Sequence, residues 1–272
     1  MGDYLYKPNR SADWNYGGGK WKLSRSKIDL FTECSRCFYI DNKLGVARPR
    51  GPAFTLNIAV DALLKKEFDL HRARGTVHPL MKKYGIDAVP FRSEHMEKWR
   101  ENFIGIQYRH PQTGFLITGA VDDVWINPKG ELIVVDYKAT AKDGRIESLS
   151  DSGWDAQYKR QMEIYQWLLR QNGFPVSRTG YFVYVNGRKD AQAFDGKLEF
   201  EVTVISHEGQ DAWIPRLLVE LKKCLDGELP PPDPECEFCA YRKAVINVTQ
   251  TMESRDKRRS RITAHHESAT LF

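Results

Sequence analysis

The sequence predicts an α/β (α+β) chain, and three observations carry that reading. Apolar, β-branched segments recur at GFLITGAVDDVWI, ELIVVDYK, TGYFVYVN and KLEFEVTVI; stretches of helical periodicity precede, separate and follow them; and two Cys-x-x-Cys pairs stand towards opposite ends of the chain. With 272 residues the chain is one large domain or two small ones, at about 150 residues per domain. Composition excludes fibrous and disordered classes, because 41% of residues are hydrophobic and 28% charged. No apolar run approaches the roughly 18 residues that span a bilayer. The opening MGDYLYKPNRSADWNYGGGK lacks an apolar signal core, so a cytoplasmic protein with no membrane partner is expected. Forty-one Lys and Arg against 36 Asp and Glu give a formal charge of +5, which permits nucleic-acid binding without requiring it.

Residues 1–22 read as an irregular lead-in with a joint at Gly17-Gly18-Gly19. A helix follows to about residue 40, with Ser26 and Asp29 spaced as a capping box and Ile28, Leu30, Phe31, Phe38 and Ile40 as its apolar face. After Pro49-Arg50-Gly51-Pro52 a second helix is expected from about Phe54 to Arg72; residues 75–112 carry no clear pattern. GFLITGAVDDVWI and ELIVVDYK flank the turn signal Asn127-Pro128-Lys129-Gly130 and read as a β-hairpin. A helix from about Trp154 to Gln171 ends at Asn172-Gly173, strands follow at TGYFVYVN and KLEFEVTVI, and a further helix is expected from about Glu208 to Leu225. The basic run 256–261 belongs to a charged tail over 248–272.

Asp136 and Lys138 sit two apart in VVDYKAT and so point to one side of a strand, after the apolar run Leu132 to Val135. Asp122 in GAVDD lies across the hairpin. Buried charges cost several kcal/mol unless they are paired or hold a cation. Two carboxylates suit a hard divalent ion such as Mg or Mn, and a neighbouring lysine suits phosphodiester hydrolysis. Taken alone, Asp-x-Lys also reads as a strand-end ion pair. Asp61, in the apolar stretch IAVDALL, is a third candidate metal ligand, with an i,i+4 pair to Lys65 as the plainer reading. Gln161 and Tyr165 share one helical face, with Tyr158 nearby, and suit a nucleic-acid edge or, more plainly, a core face. Cys34, Cys37, Cys236 and Cys239 furnish four thiolates, the number for a tetrahedral Zn or an iron-sulfur cluster, and would clasp the N-terminal segment to the C-terminal one. Cys224 reads as a buried thiol.

Together these segments resemble the PD-(D/E)xK nuclease superfamily in its RecB-like branch, similar to the exonucleases of CRISPR adaptation. LSRSKIDLFTECSRCFYI resembles the opening helix motif, GAVDD the glycine-to-aspartate motif, VVDYKAT the Asp-x-Lys motif, QMEIY the Gln-x-x-x-Tyr motif and PPPDPECEFCAYRK the cysteine-rich close. The resemblance implies a restriction-endonuclease-like core, a mixed central sheet flanked by helices, forming a single domain over 23–247. It also implies metal-dependent cleavage of DNA, with Asp122 and Asp136 as ligands, Lys138 as the catalytic lysine, and Gln161 and Tyr165 near the DNA. Two departures stand out: Asp61 occupies the place of a frequent histidine, and Val245 that of a fourth cysteine, with Cys37 available instead. The expected protein is a Mg- or Mn-dependent deoxyribonuclease acting on single-stranded or end-bearing DNA in repair, recombination or defence. A catalytically inactive nucleic-acid-binding module is the alternative. No GxxxxGK phosphate-binding motif occurs, so coupling to ATP would need a separate helicase or other protein partner.

Overall fold

The computed structural model describes residues 10–49, 51 and 54–252. The start of the expected lead-in (1–9) and the expected tail from 253 onward, basic run included, lie outside the described residues. In chain order the elements are β1 (Leu23–Ser24), α1 (Arg25–Glu33), α2 (Ser35–Asn42), α3 (Thr55–Arg74), α4 (Pro79–Lys83), β2 (Val89–Pro90), α5 (Met96–Arg100) and β3 (Ile106–Arg109). Then come β4 (Leu116–Gly119), β5 (Asp123–Ile126), β6 (Leu132–Thr140), α6 (Gly153–Gln171), β7 (Thr179–Gly187), β8 (Phe200–Glu208) and α7 (Ile214–Asp226), and a last helix, α8, covers 237–252. None of the described helices is long and apolar enough to cross a membrane.

The chain divides into two compact units, one built from the described parts of 1–19, 30–49 and 224–272, the other from 20–29 and 50–223. In the second unit a five-stranded sheet runs in the order β2-β5-β6-β7-β8, antiparallel except for the parallel pair β6–β7, so it is mixed. A parallel pair needs a crossover, and α6 supplies it. A smaller sheet, β1-β4-β3, contains a second parallel pair.

Strand periodicity decides what each face of β6 meets. Ile133, Val135 and Tyr137 join Leu64 and Phe68 of α3, Trp125 and Val183 in one buried cluster. The intervening Asp136 and Lys138 turn to the opposite face, where α6 lies. The turn 127–130 is held by Asn127, whose Oδ1 accepts from the N–H groups of Lys129 and Glu131, while Gly130 takes a φ of +80° that a side chain would resist.

Several elements differ from the sequence expectation. The first helix is two helices, because Cys34 adopts extended backbone (φ −165°, ψ 106°) and its Sγ accepts from the Cys37 N–H, which makes it the N-cap of α2. Helix α1 begins at Arg25, so Ser26 lies inside it, and Asp29 pairs with Arg25 instead of capping. The segment GFLITGAVDDVWI is not one hairpin arm: it breaks at 120–122, giving β4 to the small sheet and β5 to the large one. Helix α7 starts at Ile214, since Glu208 still pairs with Thr179 in β8. The patternless stretch 75–112 holds four short elements, and 248–252 continue α8.

Candidate active site and candidate metal centre

Asp136 is completely buried on β6. Its Oδ1 accepts from Gln161 Nε2 at 2.6 Å, and Gln161 donates onward to the Tyr165 hydroxyl at 3.2 Å. Its Oδ2 forms an ion pair with Lys138 Nζ but receives no aligned hydrogen bond. Lys138 Nζ also lies over the Tyr158 ring, 4.4 Å from its centroid. Burial, reinforced by the adjacent Asp122 carboxylate, raises Asp136 from 3.8 to about 7 against the opposing pull of Lys138. Such a carboxyl gains most from a further cation. A buried carboxylate oxygen beside a second carboxylate is the donor chemistry of a hard divalent ion, so these residues fit Mg or Mn.

Asp122 sits in the break between β4 and β5. Its Oδ2 accepts from the Tyr137 N–H at 2.9 Å, which docks it onto β6 beside Asp136, and its Oδ1 lies 3.3 Å from Lys65 Nζ. Lys65 is shared: Asp61 Oδ2 lies 2.8 Å from the same ammonium. Burial alone would lower Lys65, but Asp122 and Asp61 outweigh it and raise the group, so it stays charged. Asp61 is thus the i,i+4 partner of Lys65. Among the described residues the four cysteines form the group whose donor atoms all lie within 4.8 Å of one another; Asp61, Asp122 and Asp136 do not gather that closely, with an ammonium standing between Asp61 and Asp122. A hollow of about 480 Å³ opens here, lined by Asp61, Lys65, Asp122, Lys138 and Tyr158 among others.

Tyr165 is buried, and burial raises its phenol, which stays a neutral hydroxyl. It packs against Gly119 so closely that a Cβ there would meet its ring carbons at 2.6 Å, which explains the glycine of GAVDD. Arg25 of α1 pairs with Asp29, which also pairs with Arg160 of α6 at 3.1 Å.

Sequence reasoning missed the support beneath Asp122. Asp123, fully buried, accepts from Arg72, from Arg100 Nη2 at 3.0 Å and from the Tyr137 hydroxyl at 2.7 Å. Arg100 Nε donates to the Asp122 carbonyl at 2.9 Å, so the same guanidinium holds both aspartates. The signal was the Asp doublet itself: with a strand starting at its second member, one carboxylate must face the interior, where it needs cations.

In the other unit Cys34, Cys37, Cys236 and Cys239 are all buried, with Leu30 and Phe238 against them. None is in a disulfide. Burial pushes the Cys34 thiol up to about 12, whereas Cys236, despite burial, is lowered to about 7 by hydrogen bonds from the Cys239 backbone and the neighbouring thiols. A set of four thiols in one place fits a structural metal. Cys224 is half-buried on α7 and stands apart from this group.

The fold is a mixed sheet flanked by helices, with Asp136 and Lys138 on β6 and Asp122 docked beside them. Residues 56–244, well over half of the chain, match the PD-(D/E)XK nuclease superfamily, and the chain belongs to it. Its members are generally nucleases, act on nucleic acid and typically use divalent metals. No curated protein matches the chain. Among solved structures, that titled "Crystal structure of SSO0001" is similar at 16% identity and a TM-score of 0.41, covering 81% of this chain and 84% of that one.

Proposed function

We propose that this chain is a divalent-metal-dependent deoxyribonuclease of the RecB-like branch, acting from ends on single-stranded or end-bearing DNA in repair, recombination or defence. The observation that carries the reading is Asp136: a buried carboxylate with one oxygen lacking an aligned donor, paired with Lys138 and adjacent to Asp122. Asp122 and Asp136 would hold Mg or Mn, with Asp61 joining them where Lys65 releases it. Such an ion, when bound, supplies a more acidic water and offsets charge on a phosphate.

The chain's own residues supply the rest. Gln161 fixes the Asp136 carboxylate by occupying Oδ1, leaving Oδ2 turned towards Lys138. Lys138 presents an ammonium to the hollow, where it orients a water against the scissile phosphate and stabilises the charge that develops on it. Tyr158 limits the directions that ammonium can take. Tyr165, held through Gln161, keeps α6 seated against the aspartates.

The test is a cleavage assay on end-labelled linear single strands, linear duplex and closed circular DNA with Mg or Mn. Linear single strands are expected to be degraded, closed circles to persist, and a chelator to stop the reaction. Tight binding to all three without hydrolysis under either metal would instead identify a module that keeps the fold and does no chemistry.

A further inference from the structure

Helix α6 carries one stripe of side chains at positions 154, 158, 161 and 165, each about one turn from the next on a single face. Three of the four have partners at the carboxylate site: Gln161 bonds both Asp136 and Tyr165, and the Tyr158 ring lies against the Lys138 ammonium. Trp154 continues the stripe one turn further and is 71% exposed. A large apolar ring thus stands open to water on the side of the helix that elsewhere meets the sheet.

A second exposed ring borders the hollow from α3. Phe54, the N-cap of that helix, is 73% exposed and Ile58, one turn on, is 61% exposed; both line the hollow together with Lys65, Asp122, Lys138 and Tyr158. This ring is held in place. The Phe54 carbonyl accepts from the Ile58 N–H at 3.1 Å, and Asn57 Nδ2 donates to the Ala139 carbonyl at 2.8 Å, which pins the first turn of α3 to β6 one residue beyond Lys138. Singly scattered apolar residues on a surface are ordinary, whereas apolar residues gathered around a hollow lined by carboxylates and ammoniums mark a ligand that is apolar and ionic by turns. A single nucleic-acid strand has that chemistry, since it offers unstacked base faces and phosphates within one nucleotide. A duplex keeps its base faces stacked inside and presents only base edges in its grooves.

We propose that Phe54 and Trp154 are stacking platforms for unpaired bases next to the phosphate that Lys138 meets, and that they make the site select single-stranded DNA over duplex, a role that rests on reading this hollow as the nuclease site. The two lysines fix the backbone, and the rings hold the bases without choosing among them, because every base has a face to stack.

The experiment measures binding of the full-length protein by fluorescence anisotropy in Ca²⁺, with three labelled probes: single-stranded oligothymidylate, a strand of the same length carrying abasic sites in place of its bases, and a duplex. Oligothymidylate should bind more tightly than either of the others. Phe54→Ala and Trp154→Ala should each weaken it about fivefold to a hundredfold while leaving the abasic strand unchanged, and Phe54→Tyr and Trp154→Phe should recover most of the loss. Both rings are exposed, so thermal melting should not change. Equal affinity of the wild-type protein for base-bearing and abasic strands, or alanine variants that bind oligothymidylate as the wild type does, would overturn the proposal. A cleavage assay on the same preparations separates the two readings: base-dependent binding without cleavage would remove the nuclease and keep the platforms, whereas cleavage with base-independent binding would keep the nuclease and remove the platforms.

Discussion

Replacing Asp136 with asparagine is expected to lower DNA cleavage about a thousandfold or more, since a metal supplies several kcal/mol of transition-state stabilisation and each 1.4 kcal/mol or so is tenfold in rate. The fold should survive. The amide oxygen of the new side chain would still accept from Gln161, and the substitution removes a carboxylate whose ionisation burial already opposes. Lys138→Ala leaves the carboxylates to hold an ion but deletes the ammonium in the hollow, for an expected loss of about 10²–10³-fold. Single-turnover cleavage alongside thermal melting reads both effects. Wild-type rates in either folded variant would remove Asp136 or Lys138 from the chemistry.

The second large effect is on stability. At the centre of the first unit are four thiols, with Leu30 and Phe238 packed on them. A structural metal bound by four thiolates contributes on the order of 10 kcal/mol, as zinc does in zinc-finger peptides, comparable to the roughly 5–15 kcal/mol that holds a typical domain folded. Cys34→Ser, or stripping the metal from the intact chain with a chelator, should therefore unfold this unit. Hydrogen exchange would record it: amides of 30–49 and 224–252 should lose protection, while those of β5 to β8, whose pairing and core are their own, keep it. Unchanged protection around the cysteines after metal removal would show that the thiols pack without an ion.

Local patterns carried much of this architecture. The turn at Asn127–Gly130, the alternation that sends Asp136 and Lys138 to one face of β6, and the helical spacing of Gln161 and Tyr165 are all short-range, so they could be read directly. What escaped was non-local. Nothing near Gly119 says that β4 pairs with β1 and β3 while β5 pairs with β2 and β6, because that choice is made by distant partners. Cys34 interrupts a good helical pattern because its sulfur caps α2, a preference periodicity does not register. The stretch around Asp61 looked buried from its apolar neighbours, yet Leu56, Ile58 and Leu63 are exposed, and Asp61 finds Lys65 one turn away. The Arg72–Asp123–Arg100 support joins three separate elements and becomes visible only when they are packed.

Calorimetric titration of Mn²⁺ into the full chain, its cysteine centre already loaded, tests the carboxylate site most directly. Because burial raises the Asp136 carboxyl, a proton competes with the ion for it, and affinity should fall as the pH drops from neutral towards the acid side. In Asp136→Asn the binding should vanish. Mn²⁺ that binds the asparagine variant with wild-type affinity, and with no change across that pH range, would contradict the account.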